Sequence, residues 1–168
     1  MALDDIQMHI LQEVADLHTI PEGAYNIRSN GSLAGRNTTA NIDITSKPDG
    51  TGIDIHIKPG TKNESVHIPV VVSESGLKDV VYNDFFIGEG ADVLIVAGCG
   101  IHNCGNQDSQ HDGVHRFFVG KNAKVKYVEK HAAYEKKQAA QGEKIIKWIF
   151  GILVALAILF AIYSATIA

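Results

Sequence analysis

Both cysteines of this chain and three of its eight histidines fall within residues 99–115, CGIHNCGNQDSQHDGVH. Thiolate and imidazole are donors that favour transition metals and iron–sulfur units over hard cations. Cys99, His102 and Cys104 lie within six residues, and turns at Gly100 and Gly105 could gather their side chains. His111 and His115 follow at a four-residue spacing. The Cys-x-x-His-x-Cys pattern departs from the usual CxxC zinc spacings. Two thiolates and two imidazoles still match the donor count of a tetrahedral site, so zinc is one reading. An iron–sulfur cluster ordinarily takes more thiolates, so a cluster here is expected to be transient or shared with another chain. Cys99, His102 and Cys104 are the candidate cluster-binding residues, and His111 and His115 join them as candidate metal ligands.

Other chemistry is not legible. There is no GxSxG and no serine with a local base, and SNGSLAGRN lacks the Lys-Ser/Thr ending of a phosphate loop. Asp108, Asp112 and His111 could be imagined as acid and base groups acting on a sugar, but the sequence shows no defined pair of carboxylates. The expectation is a non-enzyme.

The elements that must position these residues read as follows. Ile6, Ile10, Leu11, Val14 and Leu17 recur at helical spacing, Asp4 or Asp5 can cap the first turn, and Pro21 closes the segment. Residues 4–18 are therefore read as an amphipathic helix, within an N-terminal unit of 1–21. Residues 22–39 are rich in Gly, Asn and Ser and read as loop and turns. From residue 40 short alternating runs follow: ANIDIT, GIDIHIK, SVHIPVVVS, KDVVYNDFFIG, ADVLIVAG, VHRFFVG and AKVKYVEK. These predict half-buried strands, with His56 and His67 facing solvent and Pro69 at an edge or bulge. Residues 85–96 (FFIGEGADVLIV) and 117–128 (FFVGKNAKVKYV) repeat at an offset of 32. Such self-similarity marks stacked coils that bury their apolar faces on one another.

Charge divides the chain. Residues 1–115 hold six Lys/Arg against sixteen Asp/Glu, net −10; residues 116–168 hold nine against three, net +6. The acidic body argues against nucleic-acid binding. Residues 132–147 read as a polar, basic helical linker. Residues 148–168, WIFGILVALAILFAIYSATIA, carry no charge. About 20 apolar helical residues cross a bilayer core, so a C-terminal transmembrane helix is predicted, with the preceding lysines on the cytoplasmic side. The acidic N-terminus has no signal-peptide pattern, so the globular part is placed in the cytoplasm, anchored to the cytoplasmic membrane.

NTTANIDI, IHIKPGTKNESVHIPVVVSE, VYNDFFIGEGADVLIVAGCGIHNC and DSQHDGVHRFFVGKNAKVKYVEKH resemble the N-terminal half of SufB/SufD-type iron–sulfur assembly scaffolds. The likeness is greatest to the short version found in minimal SUF-like systems, and it covers roughly residues 4–131. It implies a right-handed parallel β-helix over 22–131, assembly of nascent clusters, and partnership with a SufC-type ATPase that hydrolyses the nucleotide. It also implies ligand roles for Cys99, His102, Cys104, His111 and His115. After YVEKH the chain departs from the family, whose later coils and helical region carry the ATPase dock. The open end of the stack left by that departure predicts pairing with a second scaffold chain or a second copy. The expected function is a membrane-anchored scaffold component for cluster assembly; the alternative is a tail-anchored metal-binding or interaction module.

Overall fold

The computed structural model describes residues 4–15, 21–103, 105–135 and 146–153. The chain divides into two compact units, Met1–Tyr134 and Glu135–Ala168. The first unit holds helix α1 (Asp5–Ala15) and strands β1 (Ala24–Ser29), β2 (Ser32–Asn37), β3 (Ile42–Ser46), β4 (Gly52–Ile57), β5 (Lys62–Val72), β6 (Lys78–Ile87), β7 (Asp92–Asn103), β8 (Gln110–Val119) and β9 (Lys124–Glu135).

The strands form two mixed sheets, ordered β2-β1-β5-β7-β9 and β3-β4-β6-β8. The right-handed parallel β-helix expected from the resemblance is not the architecture observed. β1 pairs antiparallel with β2, and β3 with β4, whereas β1–β5, β4–β6, β5–β7 and β6–β8 pair in parallel. The cause of the first reversal lies in the stretch read as loop. Asn30 and Gly31 both have positive φ (48° and 75°), which is the geometry of a two-residue hairpin turn. From β5 onward successive strands alternate between the two sheets.

The repeat has a direct structural meaning. Phe85 stacks on Phe117 with ring centroids 4.6 Å apart, and Phe86 on Phe118 at 4.9 Å, because β6 and β8 align these residues pair by pair. The turns after the strands stack as well. Gly120 N–H donates to Ile87 O, and Gly88 N–H donates to Ile57 O, each at 2.8 Å. A third copy of this turn, unrecognised in the sequence, lies at residues 57–62. Gly60, Gly90 and Asn122 occupy its left-handed position with φ of 73°, 67° and 56°. A Cβ at Gly88 would lie 2.3 Å from the Pro59 nitrogen, so the close stacking of turns excludes a side chain there.

Between the sheets the core is aliphatic and aromatic: Ile42, Ile55, Val66, Phe85, Ala91 and Ile95 are fully buried. Helix α1 packs on the outer face of the five-stranded sheet, where Ile10, Leu11 and Val14 meet Ile27 and Val71. Asp4 and Gln7 close a reciprocal cap: Gln7 N–H donates to Asp4 Oδ1 at 2.8 Å, and Asp4 N–H to Gln7 Oε1 at 3.2 Å. Ile6, placed on the apolar stripe by its spacing, is 47 % exposed. Leu17 lies outside the described residues. Pro69 is buried in β5, an interior strand, rather than at an edge. The β1–β5 ladder skips from Tyr25↔His67 to Arg28↔Val70, leaving a gap opposite Pro69, while the β5–β7 pairing runs through it as Pro69↔Gly98.

The second unit contributes one described helix, at 146–153. The predicted transmembrane helix over 148–168 is not borne out. Among the described residues no helix is long and apolar enough to cross a membrane. Residues 154–168 lie outside the described residues. The polar linker read at 132–147 is also altered at its start, since β9 continues to Glu135; 136–145 lie outside the described residues.

Candidate functional site

At one end of the space between the sheets the lining turns polar. β7 supplies Cys99, β8 supplies His111 and His115, and β9 supplies Glu129 and His131 to a cleft of about 310 Å³. Strand alternation explains why these residues meet. Val93, Ile95, Ala97 and Cys99 share the inward face of β7, so Cys99 continues the core row at its polar end. His111, Gly113 and His115 occupy alternate positions of β8, as do Glu129 and His131 on β9. Gly113 leaves room for a neighbour: a Cβ there would lie 2.8 Å from His115 Nε2.

Each imidazole has a defined partner. His111 Nδ1 lies 3.0 Å from Asp79 Oδ2, and His111 and Asp79 face each other across the β6–β8 pair. Arg28 Nη2 donates to Asp79 Oδ1 at 3.1 Å and to Gly31 O at 2.7 Å. His115 Nδ1 is 3.4 Å from Asn83 Nδ2, which is the register neighbour of His115. Its ring sits between Phe85 and Tyr127, at centroid distances of 6.0 and 5.8 Å. Glu129 Oε1 stands 3.2 Å from His131 Nε2 and 4.0 Å from His115 Nε2.

The electrostatics follow from burial beside carboxylates. Cys99 is pushed up to about 11, first by burial and then by the negative charge of Glu129 and Asp79. Burial holds His115 below its ordinary value and outweighs the opposing pull of Glu129. The Tyr127 phenol is raised by burial and by Glu129. At neutral pH the cleft therefore presents a protonated thiol and a neutral His115 imidazole. A thiolate forms here only when positive charge arrives to offset burial.

The residues singled out by sequence divide three ways. Cys99, His111 and His115 line the cleft together. His102 lies three positions beyond Cys99 on β7, which places it on the opposite face. The expected gathering of Cys99 with His102 at a turn fails because Gly100 and Ile101 are extended strand rather than turn. Cys104 lies outside the described residues. Loop residues beyond it are stapled down: Ser75 Oγ accepts from Gln107 N–H at 3.1 Å, and Ser109 Oγ donates to Glu74 O at 2.7 Å. The metal-ligand set read from the sequence is corrected to this extent. Among the described residues no group of three or more His, Cys, Asp or Glu side chains could hold a metal ion.

Glu129, His131, Asp79 and Asn83 were missed by the sequence reading. The available signal was alternation, since Tyr127, Glu129 and His131 share one face of AKVKYVEKH. Of the two histidines read as solvent-facing, His56 is exposed and stacks on Phe86 at 4.6 Å. His67 is half-buried, and burial holds it below its ordinary value.

No protein-family model, curated protein or solved structure matches this chain. Assignment to the SUF system gains no support from these comparisons.

Proposed function

We propose that the chain is a scaffold component for iron–sulfur cluster assembly, not an enzyme, and that it supplies part of a site completed by a second chain. The observation that carries this reading is the cleft itself. One thiol, three imidazoles and two carboxylates, Glu129 and Asp112, line it, drawn from β7 and from β8 and β9, the last strands of their sheets. Such a donor set suits iron as cargo, while its spacing falls short of a closed site within one chain. The sheet end next to the cleft leaves Phe117 37 % and Val119 54 % exposed. Both continue the inward rows of Phe85 and Ile87, so a further layer of chain stacked there would cover them. A second copy or a second scaffold chain would bring the remaining ligands, and nucleotide hydrolysis would fall to a separate ATPase.

The test is anaerobic reconstitution of the full chain with iron(II) and sulfide, with oligomeric state measured by light scattering. The expected result is visible-region absorption accompanying a dimer, lost in Cys99→Ala. Absence of absorption, or unchanged absorption in Cys99→Ala, overturns the reading. Stoichiometric zinc without iron or sulfide in the protein as isolated would favour a metal-stabilised interaction module instead.

A further inference from the structure

Arg28, Asp79 and His111 form a chain of contacts that the scaffold reading does not use. It begins on β1, crosses the space between the sheets to β6, and ends on β8 in the lining of the cleft. Its members are largely enclosed, with side-chain exposures of 17 %, 11 % and 7 %. Arg28 is itself anchored by the Gly31 carbonyl in the tight turn between β1 and β2. Arg28 Nη2 donates to Asp79 Oδ1 at 3.1 Å and to Oδ2 at 3.4 Å, which fixes the orientation of the carboxylate and aims Oδ2 at His111.

A carboxylate oxygen 3.0 Å from His111 Nδ1 requires the proton on that nitrogen. In the neutral ring the lone pair then resides on Nε2. Carboxylate–histidine pairs of this kind fix both ring orientation and tautomer for histidines that ligate metals. His115 has a different partner: the amide nitrogen of Asn83 lies 3.4 Å from its Nδ1 and can only donate there, so no carboxylate holds a proton on that nitrogen.

We propose that Asp79, clamped by Arg28, is a positioning residue that locks His111 as the Nδ1–H tautomer and so presents Nε2 as an electron-pair donor to the cleft. The role as an iron donor rests on the scaffold reading, whereas the tautomer lock does not.

Long-range ¹H–¹⁵N correlation spectra of the uniformly labelled full chain, without metal and above pH 7.5, read the tautomer directly. The expected result is Nδ1–H for His111 in the wild-type chain, with a shift toward Nε2–H in Asp79→Ala. A wild-type His111 carrying its proton on Nε2 overturns the proposal, and this measurement needs no variant to fold. An unchanged tautomer in a folded Asp79→Ala chain overturns it equally. Iron(II) titration of both chains then reads the consequence. Loss of such a partner is expected to weaken iron binding roughly 10–100-fold in Asp79→Ala, and Asp79→Glu should restore part of it. Equal iron affinity in the two chains overturns the positioning role. A wild-type chain that shows the Nδ1–H form but binds no iron would instead sink the scaffold reading and leave the lock standing.

Discussion

Cys99 shows how one residue is governed by its surroundings. Its neighbours Gly98 and Gly100 face the other side of β7, under helix α1, and the thiol is left in the core row beside Glu129. A pKa near 11 against an ordinary 9.0 leaves about 100-fold less thiolate at a given pH. Iodoacetamide should therefore alkylate Cys99 about 100-fold more slowly in the folded chain than in urea at pH 8, as followed by intact-mass kinetics. Equal rates would show that the thiol is not held protonated. The same buried thiol makes the chain sensitive to base. The folded chain keeps its proton where the unfolded chain loses it, so this contribution to stability fades above about pH 9.

At the scale of elements, α1 and the strand beneath it are matched by two missing side chains. A Cβ at Gly98 would lie 2.5 Å from the Val14 carbonyl oxygen, and one at Gly100 would lie 1.8 Å from Ile10 Cγ2. The glycines flanking Cys99 thus set the helix down on the sheet rather than form a turn. Gly100→Val should displace α1 and lower stability by about 1–3 kcal/mol, the usual range for overpacking a tight contact. Urea denaturation checks the magnitude, and a midpoint equal to wild type would mean that α1 does not rest there. Ile10→Ala removes the same contact from the other side and should cost about 2–4 kcal/mol. The hairpin at Asn30–Gly31 has the same lesson. Its dipeptide is a strong hairpin signal, yet the surrounding Gly- and Asn-rich composition reads as loop until the flanking strands are seen to pair.

Taken whole, the first unit is two sheets closed over an apolar core, with ionisable groups gathered at one end and along the outer face. Two imidazoles, His67 and His115, are held below their ordinary 6.5 by burial. The unfolded chain therefore binds more protons below pH 6.5, and stability should fall as pH drops from there. Replacing His67 with Gln should flatten that part of the profile in thermal melts between pH 7 and 5; an unchanged slope would refute its contribution. A second loss is expected below about pH 4. Asp84 is held below its ordinary 3.8 by its paired hydrogen bonds from Arg116 and by Lys47. Arg116 donates to Asp84 through Nε and Nη2, each at 2.6 Å, so protonating the carboxyl breaks a bidentate contact.

From residue 40 onward the sequence by itself determined which segments are strands, because alternation of apolar and polar residues has no other stable use at that length, whereas β1 and β2 lay in the stretch read as loop. It also determined the stacking of Phe85 on Phe117, because a repeat of that length brings identical residues to equivalent places. Only the tertiary structure decided how the strands are shared between two mixed sheets, since pairing direction depends on turn geometry and on which edges are left open. It also decided the membership of the candidate site. Proximity along the chain suggested Cys99, His102 and Cys104, but an extended strand sends Cys99 and His102 to opposite faces. The residues that do join Cys99 come from β8 and β9. Glu129 and His131 lie thirty or more positions away and reach the cleft only because successive strands alternate between the sheets.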